Sequence, residues 1–190
     1  AEALNGKYGA FSFNPDTGVW SYTLDYAAAQ ELGQGVTETE SLTVTSFDGT
    51  ATETISVIVA GVNDAATFGG DAGGAVFEDG EGEAGGTLTV TDVDLDETGF
   101  KVVADGDLQG KYGEFTFDEA SGEWTYTLDN DEAQALKGSE TVTETLTVES
   151  LDGTEKTISV TVSGDNEAAA INGADIAGRL QEDCRDVRAG

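Results

Sequence analysis

The sequence predicts an all-β chain of tandem antiparallel sandwiches, and three observations carry that expectation. Short runs rich in valine, threonine and aromatic residues place apolar side chains at every second position, the period of a half-buried strand. Turn signals built on glycine, such as Ser121-Gly122 and Asp152-Gly153, separate these runs at close and regular spacing. A block of about one hundred residues also occurs more than once, as expected of an array of similar domains.

The repeat is explicit. GKYGAFSFNPDTGVWSYTLD at 6–25 returns as GKYGEFTFDEASGEWTYTLD at 110–129, and SFDGT at 46–50 returns as SLDGT at 150–154. At this offset of 104 residues, 25 of the 45 positions from 6 to 50 are identical, too many for coincidence. After one deleted residue, TETISVIVAGVNDAA ending at Ala66 aligns with EKTISVTVSGDNEAA ending at Ala169. The opening of a unit recurs as well, because Gly69, Asp71, Gly74, Glu78 and Asp79 match Gly173, Asp175, Gly178, Glu182 and Asp183. We therefore expect residues 1–66 to be the last two-thirds of one repeat and 67–169 a complete repeat. Residues 170–190 would open a third repeat or be a non-native tail.

Within the complete unit, Leu88 and Val90 alternate with threonines, and a further strand is expected around Phe100 to Val103. Phe115 and Phe117 then share a face with Trp124, Tyr126 and Leu128 across the turn at 121–122, an aromatic hairpin for the core. Residues Asp129 to Leu136 suit one capped helical turn. Val142, Leu146 and Val148 form one inward stripe and Ile158, Val160 and Val162 another. Trp20 and Trp124 occupy the same repeat position, and both are expected in the core opposite Phe13 and Phe117 rather than stacked on sugar rings. Because the first unit lacks its opening strands, its sheet should carry an unprotected edge.

Charge narrows the function. With 38 acidic residues against 8 basic ones the net charge is -30, so nucleic acid and anionic membrane surfaces are repelled. No apolar run is long enough to span a bilayer, so no membrane insertion by this segment is expected. The chain has no histidine and one cysteine, Cys184, so Ser-His-Asp and Cys-His nucleophile systems cannot be assembled and an intrachain disulfide is impossible. We expect no enzyme.

The ordered set GKYG-x-F-x-F, G-x-W-x-Y-T-L-D, A-Q-x-L, DGT and a closing Gly61-Val62-Asn63-Asp64-Ala65 resembles the VCBS repeat of large bacterial surface and secreted proteins. The unit opening is matched by Val76, Glu78 and Asp79, followed by GTLTVTDVD at 86–94. Two departures stand out: the second closing motif reads Gly164-Asp165-Asn166-Glu167, and CRDVRAG follows Asp183. The resemblance implies Ig-like or cadherin-like sandwiches strung in arrays, outside the bacterial cell or on its surface. It implies type I secretion and roles in cell adhesion and biofilm. The partners would be neighbouring repeats of the same chain and, through other domains, a host or surface receptor. A glycan- or protein-binding module, or an accessory domain of a secreted enzyme, is the alternative.

Calcium is the expected cofactor. In TDVDLDE, the residues Asp92, Asp94 and Asp96 alternate and Glu97 follows, so on a strand three carboxylates would crowd one face. Like charges about 4 Å apart repel by roughly 1 kcal/mol even in bulk water and more near protein. Calcium relieves this by taking about 6 to 8 oxygen ligands in flexible geometry. Asn63 and Asp64 of the linker and Glu78 and Asp79 of the next unit would complete the set if they converge at the junction, with affinity of about 10⁻⁴ to 10⁻³ M. The competing reading of TDVDLDE is a solvated acidic turn.

Overall fold

A computed structural model describes residues 3–166, so the expectations for 170–190 and Cys184 lie outside the described residues. In the first unit β1 (Ala3–Asn5), β2 (Gly9–Phe13) and β3 (Trp20–Leu24) form one antiparallel sheet. After the short helix α1 (Tyr26–Ala29), β4 (Thr37–Thr45) and β5 (Thr52–Ala60) form a two-stranded antiparallel pair. The second unit continues with β6 (Thr67–Gly70), β7 (Gly73–Phe77), β8 (Glu83–Thr91), β9 (Gly113–Phe117) and β10 (Glu123–Leu128). Then follow α2 (Asn130–Ala133), β11 (Thr141–Glu149) and β12 (Glu155–Ser163). One sheet has the order β6-β8-β10-β9 and the other β11-β12-β7, with β7 running parallel to β12.

The two sheets of the second unit close on the stripes read from sequence. Leu88, Phe115, Trp124 and Tyr126 come from one sheet, Leu146, Ile158, Val160 and Val162 from the other, and all are essentially inaccessible to solvent. Trp124 hydrogen-bonds as well as packs, since its Nε1–H donates to the Asp71 carbonyl at 2.7 Å. The turn expected from Asp129 is the helix α2, on an aspartate whose side chain accepts from two following backbone N–H groups, and α1 starts in the same way on Asp25.

Two local expectations are corrected. Residues 100–103 form no strand; Phe100 makes one isolated bridge to Ser150, and its ring packs edge-on against Phe117 at 5.0 Å. The aromatic ring anchors this stretch to the core, and pairing does not extend beyond the bridge. Trp124 is 1% exposed as expected, but Trp20 is 45% exposed. The first unit has no described counterpart of β6, β7 and β8 to cover that side of its sheet.

A buried carboxylate fixes the GKYG turn of the first unit. Glu40, on β4, accepts the Tyr8 N–H at 2.9 Å, the Lys7 N–H, and the Tyr22 hydroxyl at 2.5 Å. Burial pushes the Tyr22 phenol up to about 12, and its bond to Glu40 adds to that. For Glu40 burial acts upward, but the Tyr22, Tyr8 and Lys7 donors outweigh it and hold the acid below its ordinary value. A depressed folded-state pKa means the stabilisation is complete above the free glutamate value of about 4.3 and fades as pH falls through the folded value. We expect Glu40→Gln to flatten this acid limb, measured as denaturation midpoints from about pH 3 to pH 6, a window that brackets that value. An unchanged limb would show that Glu40 does not carry it.

Candidate metal centre at the seam between units

The acidic segment after β8 is a loop, not a strand, which corrects the face argument made for Asp92, Asp94 and Asp96. The Asp94 N–H donates to Asp92 Oδ1 at 2.9 Å, curling the chain so that these two carboxylates turn inward together. Asp94 is 2% exposed. Asp96 adopts a left-handed φ of 66° and stays exposed, so it supplies the turn and stands apart from the buried group.

Two other segments meet this loop. From the linker, the Asp64 N–H donates to Asp94 Oδ2 at 2.8 Å. From the turn between β11 and β12, Asp152 Oδ2 accepts the Ala66 N–H at 3.1 Å and Asn63 Nδ2 at 3.4 Å. Burial works to raise the Asp152 acid, but donors from Ser150, Thr154 and Ala66 hold it far below the usual carboxylate range. The first unit closes the other side: the Leu95 N–H donates to the Glu31 carbonyl at 3.0 Å. Gly33 lies against the Glu97 carboxylate: a Cβ there would sit 2.4 Å from Glu97 Oε1 and push that side chain aside.

The electrostatic result is a strained set of like charges. Glu97 is pushed up, first by burial and then by the charges of Asp94, Asp92 and Asp152. Asp92 Oδ2, Asp94 Oδ1 and Glu97 Oε2 are buried oxygens with no hydrogen-bond partner. An orphaned buried acceptor is costly, and three neighbouring ones at a seam are what a hard cation satisfies. The donor set fits calcium in chemistry: carboxylate oxygens, with no histidine in the chain and no thiolate at the seam among the described residues. Among the described residues, however, no three such side chains already close around one point, so coordination requires them to draw inward.

Glu78 and Asp79 do not join this group, against the expectation of one convergent junction. They follow β7, at the end of the unit where the Glu78 N–H meets the Ser163 carbonyl at 2.9 Å. Asp92 follows the far end of β8, whose 9 residues span about 30 Å at roughly 3.4 Å each. At its own end Glu78 is 3% exposed; Oε2 accepts the Asp165 N–H at 2.6 Å, and Oε1 is buried without a partner. Asp79 is tied to α2, with Asn130 Nδ2 donating to its Oδ1 at 2.9 Å.

The sequence reading missed Glu97 and Asp152 as members of the seam. The signal for Asp152 lay in the recurrence of DGT. Asp48 in the first copy makes the same internal bonds, from Ser46 and Thr50, so this aspartate fixes the turn in both described units.

A model of the bacterial cadherin-like domain matches residues 63–164, more than half of the chain. The chain belongs to the bacterial cadherin-like domain family. Its matched stretch starts at the linker residues of the seam and ends just past β12. Two solved structures resemble the chain at low identity. One is PcdhgB3 EC1-4, at 14% identity and TM-score 0.35, covering 85% of this chain and 40% of that one. The other is the extracellular cadherin domains 1-4 of protocadherin gamma B7, at 19% identity and TM-score 0.33, covering 87% and 41%. The chain thus spans about two-fifths of the length of these structures. Among curated proteins, none matches the chain.

Bacterial cadherin-like domains are extracellular, adhesion-type repeats that contact neighbouring repeats. Cadherin-like domains generally bind calcium and are typically structural rather than enzymatic. Among the described residues, no helix is long and apolar enough to cross a membrane.

Proposed function

We propose that this cadherin-like chain is a VCBS-type spacer of a calcium-dependent bacterial adhesin, in which calcium at each seam stiffens the junction between repeats. The units are residues 1–66, 67–169 and the opening of a third from 170. The observation that carries the reading is the trio of buried, partnerless oxygens on Asp92, Asp94 and Glu97, at the point where the linker and both units touch. Asp64 and Asp152 complete the set around one ion, with Asn63 holding the linker in place. Glu78 and Asp79 belong to a second, equivalent seam at the far end of the complete unit, where the third unit follows.

The role is mechanical rather than catalytic. In cytosol poor in calcium the clustered carboxylates keep the seam open and the chain loose, which suits one-step export by type I secretion. Outside the cell, calcium binds the folded state and stabilises it by linkage. Calcium titrated into the chain is expected to raise the thermal midpoint and to narrow the distribution of end-to-end lengths in solution scattering. A midpoint indifferent to calcium, with magnesium as the control, would reject the proposal.

A further inference from the structure

A repeat position at the seam carries a different charge in the two units. Gly33 is buried against the Glu97 carboxylate, where a Cβ would come 2.4 Å from Oε1 and 3.7 Å from Asp94 Cβ. At the offset of 104 residues its counterpart is Lys137. The two hold the same place in the backbone. The Leu32 N–H donates to the Ala29 carbonyl and the Leu136 N–H to that of Ala133. The Val36 N–H returns to the Gly33 carbonyl at 3.1 Å, and the Glu140 N–H to the Lys137 carbonyl at 2.8 Å. The Gly61 N–H then closes on Val36 and the Gly164 N–H on Glu140, both at 2.9 Å. Neither Gly33 nor Lys137 has a positive φ, so this backbone takes either residue without strain.

At the first seam Asp92, Asp94 and Glu97 each leave a buried oxygen without a hydrogen-bond partner. Neither ion pair among the described residues, Lys7 with Glu31 or Lys101 with Glu149, engages these carboxylates. Glycine therefore leaves the group with no cation of the protein's own. A lysine in that position brings an ammonium on a flexible stem, with three N–H donors and no acceptor. At the far end of the complete unit, a Cβ on Gly164 would come 2.7 Å from the Lys137 carbonyl, and the adjoining Asp165 N–H is held by Glu78. That end combines a buried carboxylate with a cation built into the chain.

We propose that the position held by Gly33 and Lys137 sets how strongly a junction depends on calcium. Glycine leaves the first seam wholly dependent on a divalent ion. Lysine lowers the demand at the second, because its ammonium neutralises part of the carboxylate charge without a metal. One chain thus holds joints that stiffen at different calcium levels. This inference rests on the calcium reading of the seam given above and deepens it by naming the residue that regulates it.

Gly33→Lys in the full chain tests this, with Gly33→Met as a partner variant of similar length and no charge. Thermal midpoints are read in chelator and across a calcium titration. In chelator, Gly33→Lys should melt above Gly33→Met. The calcium concentration that gives half of the midpoint rise should increase roughly tenfold or more in Gly33→Lys relative to the parent, since an ammonium about 4 Å from a divalent ion repels it by more than that factor even in bulk water. Two outcomes overturn the inference while leaving the parent's own response to calcium in place. One is a Gly33→Lys protein that responds at the parent's calcium concentration. The other is a Gly33→Met protein that matches Gly33→Lys in both measurements, which would make size and not charge the agent. A parent indifferent to calcium is a separate result: it removes the seam reading, and the inference goes with it.

Discussion

Replacing Asp94 with asparagine is expected to change stability in opposite directions with and without calcium. Without the ion, Asp94 is a buried charge next to Asp92 and Glu97, with Oδ1 lacking any partner. Asparagine removes that charge, keeps an oxygen for the Asp64 N–H and lets the raised Glu97 acid relax downward. The calcium-free variant should therefore match or exceed the parent in denaturant midpoint. With calcium at about a hundredfold excess over Kd the parent gains roughly 2.7 kcal/mol, and the variant should lose most of that gain. Urea titrations of both proteins in chelator and in calcium read the two signs directly. A variant that is equally weaker in both buffers would mean that Asp94 acts only as a structural cap for the linker.

Truncation of the two tryptophans should give very unequal results, although they share one position in the repeat. Trp124→Ala removes a fully buried ring and its hydrogen bond to the Asp71 carbonyl, leaving a cavity between the two sheets. A loss of about 3 to 5 kcal/mol is expected, with the second unit reporting it. Trp20→Ala removes a ring that is already 45% exposed, and about 1 kcal/mol or less follows from the smaller area returned to water. Calorimetry of the two variants checks the ratio. Equal losses would show that Trp20 is covered in solution.

This pair also shows where sequence reading stops. Alternation and repeat spacing located the hairpin of Phe115 and Trp124, the stripe of Ile158, Val160 and Val162, and the capped turn at Asp129, because each depends on neighbours within a few residues or directly across a turn. Whether a tryptophan in such a hairpin is covered depends on strands distant in sequence, and at Trp20 those strands are not among the described residues. The acidic site failed in the same way. The residue types in TDVDLDE were informative, but the alternation argument assumed a strand, and the Asp92 side chain instead curls the segment by binding the Asp94 N–H. Glu78 was grouped with Asp92 because both stand near the opening of the unit, yet β8 carries them to opposite ends of the sandwich. Asp152 reaches the seam from 86 residues beyond Ala66, a pairing only the folded topology creates.

That topology has a consequence for a chain pulled from its ends. The complete unit is entered along β6 and β7 and left along β12, and β7 and β12 are parallel neighbours over five residue pairs. Tension applied through the flanking segments slides these two strands past one another instead of peeling them apart, so their hydrogen bonds share the load and must fail together. A tether made of such units would resist shear flow by the orientation of one short strand pair.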